Sequence, residues 1–126
     1  MFSTMDKQRG PIKKILYGQD DDNLYFAFMS KAKKMCTGSF VNIMIEPLDI
    51  KAKLAIETQK TFIGSLEIEL ACDDIFEMSI SKKLIDVDSI SITFEIEQDK
   101  KIVQSLPGFG DLKIDLGSDY SKNWFI

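Results

Sequence analysis

Residues 89–97 read SISITFEIE, and apolar and polar residues alternate at every step of this stretch. Because successive side chains of a β-strand point to opposite faces, its four apolar residues would share one face and its polar residues the other. Such a pattern is typical of a strand with one face buried and one face in water. Almost no segment of the chain repeats apolar residues at helical spacing, so the sequence predicts an all-β protein.

The same alternation recurs along the chain, and turn-forming residues separate the alternating segments. The predicted strands are Ile12–Tyr17, Leu24–Met29, Phe40–Ile45, Ile50–Glu57, Phe62–Cys72, Ile75–Ile80, Ser89–Glu97, Lys101–Leu106 and Leu112–Leu116, and the segment Asn123–Ile126 closes the chain. Gly64 is predicted to form a bulge, and Ser81–Asp88 is the only segment that favours a helical turn. About nine or ten short strands predict an antiparallel β-sandwich of immunoglobulin-like or jelly-roll-like type.

The 126 residues predict one domain spanning residues 1–126, with residues 1–10 as a frayed entry segment. A domain of this length buries roughly two-thirds of its unfolded surface, so it needs neither disulfide nor metal to fold. We therefore expect Cys36 and Cys72, which form no CxxC pair, to be buried free thiols, and a disulfide is the alternative.

The net charge of −4 argues against a nucleic-acid partner, because phosphate binding needs a basic surface. No segment is apolar over the length that spans a bilayer, and the first residues contain no apolar signal core. The sequence accordingly predicts a cytoplasmic protein with neither nucleic acid nor membrane as partner.

The chain contains no histidine, which excludes Ser-His-Asp and Cys-His catalysis and removes the commonest zinc ligand. Glu67, Glu69, Glu95 and Glu97 lie on the polar phase of predicted strands beside other charges, as solvated faces do. The acidic run at Asp20–Asn23 lacks the spacing of an EF-hand loop and reads as a hairpin turn. We expect no catalytic residue, no metal site and no cofactor.

Aromatic residues are the remaining candidates for ligand contact, because sugar rings stack on exposed aromatic faces beside polar hydrogen-bonding groups. Tyr17, Tyr25, Phe109, Tyr120 and Trp124 lie near turns or on the less apolar phase of a strand. For each of them, packing in the core or at a sheet edge is the alternative interpretation.

Several short motifs resemble the non-catalytic C-terminal β domain of glycoside hydrolase family 57 enzymes. In that family a strand ends in aromatic-Gly, an Asp-rich turn follows, and the next strand carries Asn-Leu-Tyr. The matching segments are Phe2–Asp6, Ile15–Phe28, Glu77–Ile80, Ile90–Ile96, Leu106–Pro107, Gly110 and Asn123–Phe125. The chain departs from the family at Asp6, where a histidine is frequent, and at Ala27, where an arginine is common.

The resemblance implies an accessory β-sandwich domain that packs against a parent catalytic domain or holds an α-glucan such as starch or glycogen. Tyr17, Tyr25 and Trp124 would then be the sugar-stacking residues. The isolated chain would not be an enzyme, because the family's catalytic carboxylates belong to an upstream barrel domain that has no counterpart here. The alternative is a structural or protein-interaction module without a sugar ligand, and a small standalone enzyme ranks third.

Overall fold

A computed structural model describes residues 11–30, 38–73, 75–107, 110–116 and 124–125 of the chain. These residues form eleven β-strands and no helix, which confirms the all-β prediction. The strands are β1 (Ile12–Gln19), β2 (Asn23–Ser30), β3 (Ser39–Glu46), β4 (Ile50–Ala55), β5 (Gln59–Ile63), β6 (Leu66–Cys72), β7 (Phe76–Ser81), β8 (Ser89–Gln98), β9 (Lys101–Leu106), β10 (Leu112–Asp115) and β11 (Trp124–Phe125). The predicted entry segment, residues 1–10, lies outside the described residues.

The strands form two antiparallel sheets. The first sheet has the order β11-β1-β2-β7-β6-β5, and the second has the order β10-β8-β3-β4 with β9 also paired to β8. Strand β8 therefore has three partners. Strand β3 pairs with Ser91–Gln98 along one edge, while β10 pairs with Ser89–Ile92 and β9 with Phe94–Gln98 along the other edge.

The two sheets pack face to face, because their buried apolar faces meet in one core. Phe94 of the second sheet makes edge-on ring contacts with Phe26 and Phe28 of the first, at centroid separations of 5.2 and 5.0 Å. The residues predicted to share the buried face of β8, Ile90 to Ile96 at alternate positions, are all buried. The β-sandwich prediction is thus confirmed, and the outer faces of the two sheets take no part in these contacts.

The segment predicted as one strand, Phe62–Cys72, is two strands joined by a tight turn. Gly64 has a φ of +63° and forms the turn with Ser65, and Ile63 pairs with Leu66 across it. A glycine with positive φ at the first position of a two-residue loop suits a type II′ hairpin turn, so a turn and not a bulge forms here. The sequence also predicts a turn at Thr58–Thr61, but residues 59–61 of this segment belong to the resulting edge strand β5.

Residues 82–88 contain a single turn, in which the backbone N–H of Ile85 donates to the carbonyl of Lys82 over 3.1 Å. The helical turn favoured by the sequence does not extend into a helix, because the segment only connects β7 to β8 of the opposite sheet. None of the described residues belongs to a helix that is long and apolar enough to cross a bilayer.

Cys72 ends β6 and is disulfide-bonded, so the expectation of a free thiol is wrong for this residue. Its backbone N–H donates a hydrogen bond of 3.0 Å to the Thr58 hydroxyl, which ties the end of β6 to the segment before β5. Cys36, the other cysteine of the sequence, lies outside the described residues. The spacing argument missed the bond because a disulfide depends on where two strands or loops meet and not on their separation in sequence.

Candidate binding groove on the six-stranded sheet

Tyr17 and Tyr25 lie on opposite faces of the six-stranded sheet. In β2 the side chains of Leu24, Phe26 and Phe28 are buried in the sandwich, so the alternate residue Tyr25 faces outward. Tyr17 pairs with Phe26 and stacks on its ring inside the sandwich, at 6.4 Å and 26° between ring planes. Burial raises the pKa of the Tyr17 phenol above its usual value. Tyr17 thus belongs to the packing between the sheets, and we do not retain it in the candidate site.

Tyr25 is held in place by the acidic turn that precedes its strand. Its hydroxyl donates to Asp20 Oδ2 over 2.9 Å and accepts from Asn23 Nδ2 over 3.2 Å. The other oxygen of Asp20, Oδ1, accepts from the backbone N–H groups of Asn23 and Asp22, each over 2.8 Å. The aromatic ring is therefore fixed on the outer face before any ligand arrives, which lowers the entropy lost on binding.

These hydrogen bonds shift the pKa values of Asp20 and Tyr25. The backbone N–H groups of Asn23 and Asp22 hold the pKa of the Asp20 carboxyl below its usual value. The hydrogen bond to Asp20 raises the pKa of Tyr25, so the phenol stays protonated and keeps donating. Lys82 adds a cation beside the turn, because its Nζ donates to the Asp20 carbonyl at 2.8 Å and to Gln19 Oε1 at 2.9 Å. The turn that the sequence marked as acidic therefore positions Tyr25.

A groove of about 460 Å³ runs over the outer face beside Tyr25. Small side chains form much of its floor, because Ala27 of β2, Ala71 of β6 and Ser79 of β7 lie on neighbouring central strands. Glu69 and Glu77 also line the groove. The lining residues are Leu16, Tyr25, Phe26, Ala27, Glu69, Ala71, Glu77, Met78 and Ser79.

A second depression of about 340 Å³ continues from the groove, since Glu69 and Ser79 line both. Its other lining residues include Glu67, Ser81 and Lys83. The two depressions together combine one fixed aromatic ring, small floor residues and several carboxylates. Such a surface presents a flat apolar patch and hydrogen-bond acceptors to the same ligand.

The backbone register connects the third predicted residue, Trp124, to the same row of the sheet. Trp124 pairs with Gly18, and Gly18 pairs with Tyr25, which in turn pairs with Ser79. Trp124 therefore stands two strands away from Tyr25, and only its backbone is described. Phe109 and Tyr120 lie outside the described residues.

The groove brings together residues that the sequence alone had assigned to solvated faces. Glu69 lines both the groove and the second depression, and Glu67 lines the second depression, although each was interpreted as an ordinary polar residue of an exposed strand face. The signal that could have found the groove is the run of small residues on the polar phase of β2, β6 and β7, because an exposed strand face usually carries longer side chains. Among the described residues, no cluster of three or more cysteine or carboxylate groups is arranged to hold a metal ion.

The comparisons with known proteins identify no relative. No protein family, no curated protein and no solved structure matches this chain. The resemblance to the family 57 accessory domain therefore depends on the sequence motifs alone.

Proposed function

We propose that this chain is a non-catalytic accessory domain that binds α-glucan in the groove on its six-stranded sheet. The observation that carries the proposal is the fixed ring of Tyr25 beside a floor of small residues and two carboxylates. A glucose unit has an apolar face that packs on an aromatic ring and hydroxyls that donate to carboxylate oxygens. Because Glu69 and Glu77 are acceptors, the groove suits a neutral polysaccharide and disfavours an anionic one.

The experiment is electrophoresis of the chain through gels that contain glycogen or amylose. We expect the gel to retard the wild-type chain, and we expect Tyr25→Ala to weaken the retardation about tenfold, or about 1.4 kcal/mol. The matched control is Phe40→Ala, which removes a partly exposed ring from the outer face of the other sheet. Equal mobility of the wild type with and without glucan would refute the proposal.

A second variant distinguishes the contribution of ring stacking to glucan affinity from the contribution of the hydrogen bond that orients the ring. Tyr25→Phe keeps the ring but loses the hydrogen bond to Asp20, so we expect an affinity between those of the wild type and Tyr25→Ala. If Tyr25→Phe and Tyr25→Ala bound equally weakly, the hydroxyl and not the ring would carry the contact.

The second candidate function is a protein-interaction module without a sugar ligand, and a different surface favours it. An apolar depression of about 270 Å³ lies at one end of the sandwich, where Leu48, Ile63 and Ile85 line it. Leu84 stands at its rim and is 66% exposed. Exposed apolar residues around a depression are typical of partner interfaces, and a parent catalytic domain would be such a partner. Unchanged mobility in glucan gels would favour this function.

Two observations favour different compartments for this chain. The sequence predicts a cytoplasmic protein, whereas the disulfide at Cys72 is a feature that favours an oxidising compartment. Rapid acid trapping of thiols in cells, followed by mass spectrometry, would decide between them. A reduced Cys72 in the native cell supports the cytoplasmic prediction, and an oxidised Cys72 contradicts it.

A further inference from the structure

Strand β5 forms a free edge of the six-stranded sheet, and within the described residues only β6 pairs with it. The strand reads QKTFI over Gln59–Ile63 and contains neither proline nor a bulge. Phe62 is 61% exposed on this edge strand. An exposed edge with an aromatic side chain offers unpaired backbone groups and apolar surface to another strand.

The hairpin geometry identifies which backbone groups of β5 are available. Ile63 and Leu66 flank a two-residue turn, and such a closing pair exchanges both of its backbone hydrogen bonds. Since hydrogen bonding alternates along an antiparallel strand, Gln59 and Thr61 also bond to β6. The N–H and C=O groups of Lys60 and Phe62 therefore point away from the sheet, toward the free edge.

We propose that the partner of this edge is β5 of a second copy of this chain, paired antiparallel about a two-fold axis at Thr61. In this register Lys60 of each copy lies opposite Phe62 of the other, so the outward backbone groups of the two strands form two hydrogen-bonded pairs. The ammonium of Lys60 then contacts the partner's Phe62 ring, as cations do with aromatic faces. A two-fold axis repeats each contact, so the interface is closed and symmetric.

The charges next to the edge fit this register. Lys60 Nζ is bound by Glu67 Oε2 of β6 at 2.9 Å, so its charge is already partly balanced before pairing. No two like charges face each other across the proposed two-fold axis, whereas a register centred on Lys60 would set the two lysines opposite each other. The register centred on Phe62 would pair the two rings and place Lys60 opposite Gly64, which leaves the cation without an aromatic partner.

The corresponding edge of the other sheet lacks this self-complementarity. Strand β4 carries Lys51 and Lys53 on its outer face. The antiparallel registers that overlap most of β4 set lysine against lysine, and like charges directly opposite each other are destabilising. Charged edges of this kind protect a sheet against pairing, so β5 is the edge at which we expect self-association.

The test is the mass of the 126-residue chain in solution, measured by sedimentation equilibrium up to about 1 mM. We expect a monomer–dimer equilibrium for the wild type. Phe62→Lys places lysine opposite Lys60 and should raise the dissociation constant at least about tenfold. Phe62→Glu places a carboxylate opposite Lys60 and should retain the dimer. Ile102→Lys is the matched control, because Ile102 is 47% exposed on β9 of the other sheet.

Three results would overturn the proposal. The first is a wild-type chain that stays monomeric throughout, which would assign the β5 edge to a strand of a different protein. The second is a dimer that Phe62→Lys does not weaken or that Ile102→Lys weakens equally. The third is loss of the dimer in both Phe62 variants while circular dichroism shows both folded, because that pattern fits a ring-to-ring register. Glucan binding by the groove is measured separately, so either proposal can fail without the other.

Discussion

The side-chain amide of Gln104 makes two hydrogen bonds to the backbone of Ile12, each 2.7 Å long. Its Nε2 donates to the Ile12 carbonyl, and its Oε1 accepts from the Ile12 N–H. Gln104 lies on β9 of the second sheet and Ile12 begins β1 of the first. Both residues are buried, so the amide satisfies two buried backbone groups and joins the start of β1 to β9 of the other sheet.

Replacing Gln104 by alanine should lower the free energy of unfolding by about 2–4 kcal/mol, because a buried N–H and a buried C=O both lose their partners. Urea unfolding followed by tryptophan fluorescence and circular dichroism measures the change. Gln98→Ala is the control, since Gln98 donates one half-buried bond of 3.1 Å to Ser39 Oγ and should cost about 1 kcal/mol or less. Equal effects of the two substitutions would contradict the bridging role of Gln104.

The turn at Asp20 should make the free energy of unfolding depend on pH in acidic solution. The folded pKa of Asp20 lies below the usual value of 3.8, so ionised Asp20 stabilises the fold above that value. This contribution is lost as the pH falls through the folded pKa, because protonated Asp20 accepts hydrogen bonds less strongly. We expect the stability difference between wild type and Asp20→Asn to be largest near about pH 6 and to shrink toward about pH 2. A difference that grows on acidification would contradict this account.

Filling the groove should abolish ligand binding without harming the fold. Ala27 lies on the groove floor, and Ala27→Phe places a ring there while suiting the strand conformation. We expect retardation in glycogen gels to fall at least about tenfold, with the thermal unfolding midpoint nearly unchanged. Ala55→Phe makes the same change on the outer face of β4 and should bind as the wild type does. Retained binding by Ala27→Phe would place the ligand elsewhere.

Reducing the disulfide at Cys72 should lower the free energy of unfolding by about 2–4 kcal/mol, as removal of a native cross-link typically does. Urea unfolding with and without a phosphine reductant measures this loss. The Cys72→Ser variant should be as unstable as the reduced wild type and should not respond to the reductant. Peptide mapping without reduction identifies the bonded partner, for which the sequence offers Cys36 alone.

Alternation in the sequence predicted most of the strands, although it merged β6 with part of β5, and it did not predict which strands lie side by side. Strand β8 follows its predicted phase throughout, because one face of it meets the core and the other meets water. The groove depends instead on β2 lying beside β7, which is distant in the chain, so that Ala27 and Glu77 become cross-strand partners. No local pattern encodes such a pairing, so the small residues on the polar phase of these strands indicate a groove only when the strand order is known.

The side chains of Tyr17 and Tyr25 lie on different faces of the sheet, and this difference shows the same limit of prediction from sequence for single residues. Tyr17 precedes the acidic turn and Tyr25 follows it. The register shift between Ile12 and Lys14 changes which residues of β1 face inward, and Tyr17 lies on the inner face. A shift of one residue exchanges the two faces of a strand. The sequence of an irregular run such as IKKILY therefore does not show which side chains face the core. Tyr25 follows a regular alternation, so its side chain lies on the face opposite to the buried side chains of Phe26 and Phe28.

Strands β9 and β10 lie end to end along one side of β8, with β9 reaching Phe94 and β10 reaching Ile92. The two strands therefore share one hydrogen-bonding edge of β8, and the length of that edge is fixed. Only Thr93 separates the two ladders, so extending one of them by two residues must displace a residue of the other. The boundary between β9 and β10 is therefore the place where the second sheet can be remodelled, for example by replacing β10 with a strand of another protein. Such a change would not disturb β3, which pairs with the opposite edge of β8.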